Sequence, residues 1–192
     1  LVFACVLLAG CQSAYYAAAE KVGFAKREIL VSRVESARDS QQEAKEAITD
    51  ALTEFRKVVA VDGGELETRY EALASQLRES EQAADEVRRR IAAIEDVADA
   101  LFEEWQSELS QYSDAGLRAK SERQLRATRA RYDQLMTAMR RAESRLEPAL
   151  TPLRDQVLYL KHNLNAQAIA GLKGEVTQVN AQVNGLVAEL DR

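Results

Sequence analysis

The sequence predicts an all-α protein, an elongated antiparallel coiled-coil bundle of three to four helices connected up-down-up-down. Three observations predict it. Apolar residues recur by alternating threes and fours over most of the chain, the spacing that keeps one helical face turned to a neighbour. Only two prolines occur in 192 residues, while 30% of residues are charged, which suits long helices with solvated outer faces. Glycine- and asparagine-containing punctuation falls at Val61-Asp62-Gly63-Gly64, Ser113-Asp114-Ala115-Gly116 and His162-Asn163-Leu164-Asn165. These stops set helices at about 13–60, 64–113, 117–162 and 165–190.

The chain begins with an apolar run from Leu1 to Leu8 that closes on Leu8-Ala9-Gly10-Cys11. A short apolar stretch ending in small residues has the form of an export signal, here without a basic leading segment. Leu8 to Cys11 resembles the bacterial lipobox residue for residue. That resemblance implies diacylglyceryl transfer to the Cys11 thiol, cleavage before Cys11 and acylation of the new amine. Residues 1–10 are then a signal peptide and 11–192 the mature bundle. Three other readings stand beside it: a transmembrane helix, a cut at Ala17-Ala18-Ala19 instead, and a buried helix end with an inert cysteine. A spanning helix needs about 20 apolar residues, and Gln12 and Ser13 interrupt the run too early. By resemblance to Gram-negative sorting rules, Gln12 after the cysteine favours the periplasmic face of the outer membrane. Several acyl chains hold a protein on a membrane without a span.

The first helix carries its seam through Leu30, Val34, Ala37, Gln41, Ala44, Ile48, Ala51, Phe55 and Val58, with Gln41 its one polar interruption. Extended from residue 13 to 60, it would be about 70 Å long. Asp62 and Glu65 have capping-box spacing and open the second helix. Its seam runs Leu66, Tyr70, Leu73, Leu77, Ser80, Ala84, Val87, Ile91, Ile94, Ala98, Leu101, Trp105, with Tyr112 beyond.

Ser113 or Asp114 caps the third helix, which starts at Leu117. Leu125, Thr128, Tyr132, Leu135, Met139, Ala142, Leu146, Ala149, Leu153, Val157 and Leu160 face inward. Pro148 and Pro152 fall inside this pattern, each removing a donor and crowding the preceding turn. Because the seam keeps phase through both, they are expected to kink the helix rather than reverse the chain. Thr151-Pro152 is a candidate cap and restart. Asn165 caps the last helix, whose seam is Ile169, Leu172, Val176, Val179, Val183, Leu186 and Leu190. Gly171, Gly174 and Gly185 each weaken it by roughly 1 kcal/mol relative to alanine.

Charge is unevenly spread. Residues 62–114 hold fifteen acids and five bases, whereas 117–155 hold ten bases and five acids, within a net charge of −5. Glu95, Asp96, Asp99, Glu103, Glu104 and Glu108 are therefore expected to lie across a tight turn from Arg118, Lys120, Arg123, Arg126, Arg129 and Arg131. Opposite signs on adjacent helices disfavour wrong pairings, though single surface pairs contribute little. Arg88-Arg89-Arg90 and Arg140-Arg141 are read as partners for acids on a neighbouring helix, with anionic lipid or polymer as the alternative.

No zinc-protease, phosphate-loop, cysteine-pair or serine-elbow motif occurs, and the acidic balance gives no case for nucleic acid. His162 is the lone histidine. No catalytic residue, metal, cofactor or small-molecule substrate is expected. The candidate sites are Cys11 for lipid attachment and Tyr159, Lys161, His162 and Asn163 for contact with a periplasmic partner; the alternative is self-assembly, in which a second copy closes the seam left open beside the short last helix.

The residues Cys11-Gln12-Ser13-Ala14-Tyr15-Tyr16, Glu20-Lys21-Val22-Gly23, Asp62-Gly63-Gly64, Glu104-Trp105, Arg131-Tyr132-Asp133-Gln134-Leu135 and Leu158-Tyr159-Leu160-Lys161-His162-Asn163-Leu164-Asn165 resemble an uncharacterised family of Gram-negative lipoproteins. The resemblance implies a lipoprotein with a helical bundle and transfers no activity. It also implies that relatives run slightly past Arg192.

Overall fold

A computed structural model describes residues 26–60 and 65–191, and among them every regular element is helical, with no strand. The elements are α1 (Lys26–Val59), α2 (Leu66–Glu108), a 3-10 turn (Leu109–Gln111), α3 (Ala115–Glu143), α4 (Leu146–His162), α5 (Ala166–Leu172) and α6 (Glu175–Leu190). Cys11, the start expected for the first helix and the Asp62-Gly63-Gly64 turn lie outside the described residues.

Neither α1 nor α2 contains glycine or proline, so nothing in either interrupts the backbone ladder. In α1, Glu28 in the first turn and Arg56 and Lys57 in the last match the helix dipole. Asp114 caps α3 as expected, its Oδ1 accepting from Leu117 N at 2.7 Å. Asn165 caps α5, accepting from Ala168 N at 2.9 Å.

The expected single helix over 117–162 is instead two, α3 and α4, parted at Ser144-Arg145. Pro148 is the physical reason: lacking an N–H, it leaves the Ser144 carbonyl without its helical donor, and its ring crowds that carbonyl. Arg145 N bonds to Ala142 O at 3.1 Å, a tightened turn, and Arg145 keeps right-handed φ −90°, ψ −13°. The chain does not reverse there. Pro152 sits inside α4 without breaking it. Thr151 is no cap; it is helical, and its hydroxyl donates to Glu147 Oε1 at 3.2 Å.

The last expected helix also divides, at Lys173-Gly174. A Cβ at Gly185, in the interior of α6, would meet nothing within 4 Å. Gly185→Ala is therefore expected to raise stability by about 1 kcal/mol, read as a higher urea midpoint at unchanged slope.

The chain forms two compact units: residues up to Ser36 with Ala92–Asp133, and Ala37–Ile91 with Gln134 onward. In the first unit Ala98, Phe102, Leu109 and Leu125 are buried together, with Leu30, Trp105 and Tyr132 packed against them. Lys26 pairs with Glu104 at 2.8 Å, and the Arg33 guanidinium donates to the Ala93 carbonyl. Numbers rise on α1 as they fall on α2, so the pair is antiparallel. The buried residue near the end of α2 is Phe102, not Leu101, which is half-buried.

In the second unit Ser80 is fully buried, its hydroxyl 2.8 Å from Ala47 O and 2.7 Å from Gln76 O. Ala44, Ala51 and Ala84, all fully buried, supply the small side chains that let a serine reach a neighbouring backbone. Helix α6 packs against α4. It also meets α1, through Arg56 with Asn180 and, just past its end, Lys45 with Asp191.

Candidate functional site

The end of α4 carries the residues that the sequence singles out for a partner. Leu160 is fully buried and pins the last turn, while Leu158 is 60% and Tyr159 45% exposed. The helix closes through Asn163, whose N–H donates to Leu160 O at 3.0 Å and whose Nδ2 donates to Tyr159 O at 2.9 Å. Lys161 and His162 are exposed in that last turn, where the negative end of the helix favours a cation. Leu164, 37% exposed, extends the apolar area. Tyr159, Lys161, His162 and Asn163 thus come together on one short segment. That segment sets exposed leucine and tyrosine side chains next to a lysine.

A charged cluster that sequence reasoning misses ties α4 to α2. Arg154 reaches Glu81 and Glu147, each at 2.8 Å, and Glu147 also accepts from Arg88 at 3.2 Å. Arg88 in turn holds Asp85 at 2.6 Å. The hydrogen bond from Arg154, aided by Thr151 and Arg88, holds the Glu147 carboxyl below its ordinary value of 4.5 against an opposing push from burial. Glu147 and Glu81 raise Arg154 correspondingly. A carboxyl lowered on folding stabilises the fold fully above its unfolded value. That contribution is lost as pH falls below about 4.5 and through the folded-state value. Because the Glu147 side chain is 53% exposed, Glu147→Gln is expected to lower stability by less than about 1 kcal/mol. The difference from the parent should vanish in acid, as equilibrium denaturation between pH 7 and pH 3 would show.

The arginine runs have acids beside them. Arg89 and Arg90 pair with Glu86 of their own helix, holding its carboxyl low, whereas Arg88 reaches α4. Arg140 meets Glu143 at 3.6 Å and Arg141 meets Glu189 of α6 at 3.6 Å. In the first unit Glu104 is engaged by Lys26, and Glu122 lies between Arg118 and Arg126 of its own helix. For these residues, pairing within α3 or with α1 replaces the expected α2–α3 pairing.

A second feature is an open groove of ≈ 380 Å³ where α2 passes to α3, lined by Trp105, Tyr112, Leu117, Lys120, Ser121 and Gln124. The Trp105 indole N–H donates to Ser121 Oγ at 2.9 Å. The signal for it lies in Tyr112 and Leu117, apolar residues beyond the end of one seam and before the next. Among the described residues no group of three or more His, Cys, Asp or Glu could hold a metal ion, and no helix is long and apolar enough to cross a membrane.

A family described as protein of unknown function (DUF2959) matches residues 15–192. No curated protein and no solved structure matches the chain.

Proposed function

The chain belongs to this family of unknown function, and from that premise we propose that it is a non-catalytic, lipid-anchored protein of the bacterial cell envelope. Cys11 carries the acyl chains, the protein is held at the periplasmic face of the outer membrane, and the helices act as a tether or adaptor. The observation that carries this reading is Leu8-Ala9-Gly10-Cys11 closing an apolar run, ahead of a chain rich in helical seams. We read the helices as an up-down-up-down bundle. Support comes from contacts within each unit: Lys26 with Glu104 and Arg33 with Ala93 in one, Arg88 with Glu147 and Arg154 with Glu81 in the other.

The partner-facing segment in this reading is Leu158 to Leu164, with Tyr159, Lys161, His162 and Asn163 at its centre. Exposed leucine and tyrosine beside a fixed helix end supply apolar contact at low entropic cost. The same apolar cluster favours self-association as the second reading, since a second copy is the commonest way to cover such a patch.

Metabolic labelling with an alkyne fatty acid tests the anchor. The parent chain is expected to take up label and fractionate with membranes, and Cys11→Ser to do neither. Label in both, or in neither, defeats the reading. Photo-crosslinking from position 159 in intact cells then tests the adaptor role, a trapped protein supporting it and a trapped second copy supporting self-association.

A further inference from the structure

The groove between α2 and α3 is more than a gap in packing. Leu117 is 56% and Tyr112 42% exposed, so its rim presents greasy side chains to solvent. Leu117, Lys120, Ser121 and Gln124 stand at i, i+3, i+4 and i+7, on one face of α3 opposite Trp105. The surrounding stretch of α3, residues 115–131, has six basic residues and a single acid, Glu122. That acid is 3.5 Å from Arg118 and 3.8 Å from Arg126. Tryptophan and tyrosine beside lysine and arginine settle at a bilayer's headgroup level, and leucine inserts just below it, at the acyl boundary.

We propose that this groove is a lipid-contact surface, in which the exposed Tyr112 and Leu117, standing over the half-buried Trp105, seat at the headgroup level of a bilayer and Lys120 on the groove wall meets its anionic lipids. The proposal rests on the reading that Cys11 is the anchor. The start of α1 lies at this end of the unit, because Lys26 Nζ is 2.8 Å from Glu104 Oε2, one residue before Trp105. Fourteen residues separate Cys11 from Lys26. Even fully extended, at about 3.5 Å each, they reach only roughly 50 Å. A tether that short places the groove at millimolar-range effective concentration against the membrane, so a patch of weak intrinsic affinity is still occupied.

A second copy fits this surface less well. A groove with two exposed apolar side chains falls far short of the roughly 800 Å² per partner that a stable interface buries.

Trp105 is the sole tryptophan, so all tryptophan emission comes from the wall of this groove, where the ring also packs on the unit's core. Cys11 is the only cysteine in the chain from residue 11 onward. That chain, coupled through Cys11 to a maleimide lipid, is placed on phosphatidylcholine–phosphatidylglycerol vesicles with and without lipids brominated near the headgroup. Emission is expected to fall by roughly half or more with the brominated lipid. Leu117→Asp and Lys120→Glu, both at exposed positions, are expected to keep parental helicity by circular dichroism and to lose most of that quenching. Unchanged emission overturns the proposal, and iodide then identifies what occupies the groove. Quenching by iodide means open water, no quenching by either agent means that residues 12–25 cover it, and a change with surface density means a second copy. The chemical tether makes the result independent of whether cells acylate Cys11, which the fatty-acid labelling decides separately.

Discussion

Phe102→Ala is expected to destabilise the protein by about 3–5 kcal/mol, the range for deleting a large aromatic from a packed interior. Phe102 is 2% exposed at the centre of the first unit's core, against Ala98, Leu109 and Leu125. Its ring also meets Tyr132 edge-on at 5.4 Å, and the Arg129 guanidinium lies 5.2 Å from its centroid. An edge-to-face aromatic pair adds about 0.5–1.5 kcal/mol beyond area burial, and an exposed cation–π contact about 0.5–1 kcal/mol. The truncation therefore removes three kinds of contact at once. Neighbours cannot collapse easily into the space, because Ala98 has no further side chain to offer. Urea denaturation followed by circular dichroism checks the magnitude. Trp105 packs on the same cluster, so its native emission should move to longer wavelength in the variant even before unfolding. Leu101→Ala, one residue away but half-buried, should cost clearly less; equal losses would place the core on the wrong face of α2.

That contrast marks where the sequence could be read and where it could not. Spacing alone places Leu101 in the seam, continuing Ile94 and Ala98 by threes and fours. Over the last turns of α2 the buried face instead steps from Ala98 to Phe102 and then to Leu109. The step from Ala98 to Phe102 is itself a four, so spacing alone cannot choose between Leu101 and Phe102, which are equally apolar. Leu52 and Val59 on α1 are buried as well, although the seam passes through Ala51, Phe55 and Val58. The reason is a further neighbour: α6 contacts α1 through Asn180, so that stretch buries a wider stripe than a two-helix seam requires. The caps at Asp114 and Asn165 were legible because capping is local chemistry. The division at Ser144-Arg145 was half legible. Pro148 announces a disturbance, but which residues absorb it depends on the turn before it. The segment proposed to face a partner stands out in sequence because tyrosine and leucine lie off the seam near a chain break. The Glu81–Arg154–Glu147–Arg88 cluster was invisible, as it needs the lateral pairing of two helices whose charges look ordinary in sequence.

Gln41→Leu is expected to stabilise the protein by about 1–3 kcal/mol, against the usual direction for a substitution beside a helical seam. The buried position between Ala37 and Ala44 of α1 is Ser40, not Gln41 as the spacing predicts; Gln41 is half-buried beside it. Its Nε2 is shut away from solvent and has no hydrogen-bond partner among the described residues. A buried donor without an acceptor carries its full desolvation penalty, and leucine removes that penalty while keeping the side chain close in volume. The nearby polar side chain at Ser80 makes the control. It is fully buried, yet its hydroxyl is within bonding distance of two carbonyl oxygens. Ser80→Val is expected to destabilise instead, by about 1–3 kcal/mol, because it loses that bond and forces extra volume between closely packed helices. Opposite signs from two apolar substitutions in adjacent helices would show that hydrogen-bond satisfaction, not polarity, decides the outcome. A polar residue beside an apolar seam also fixes pairing register at the expense of stability. Gln41→Leu should therefore melt higher while admitting alternative pairings, visible as broadened amide resonances or as dimers in sedimentation velocity. A variant that is less stable than the parent would mean that the amide has an acceptor in the folded protein, and the register argument would fall with it.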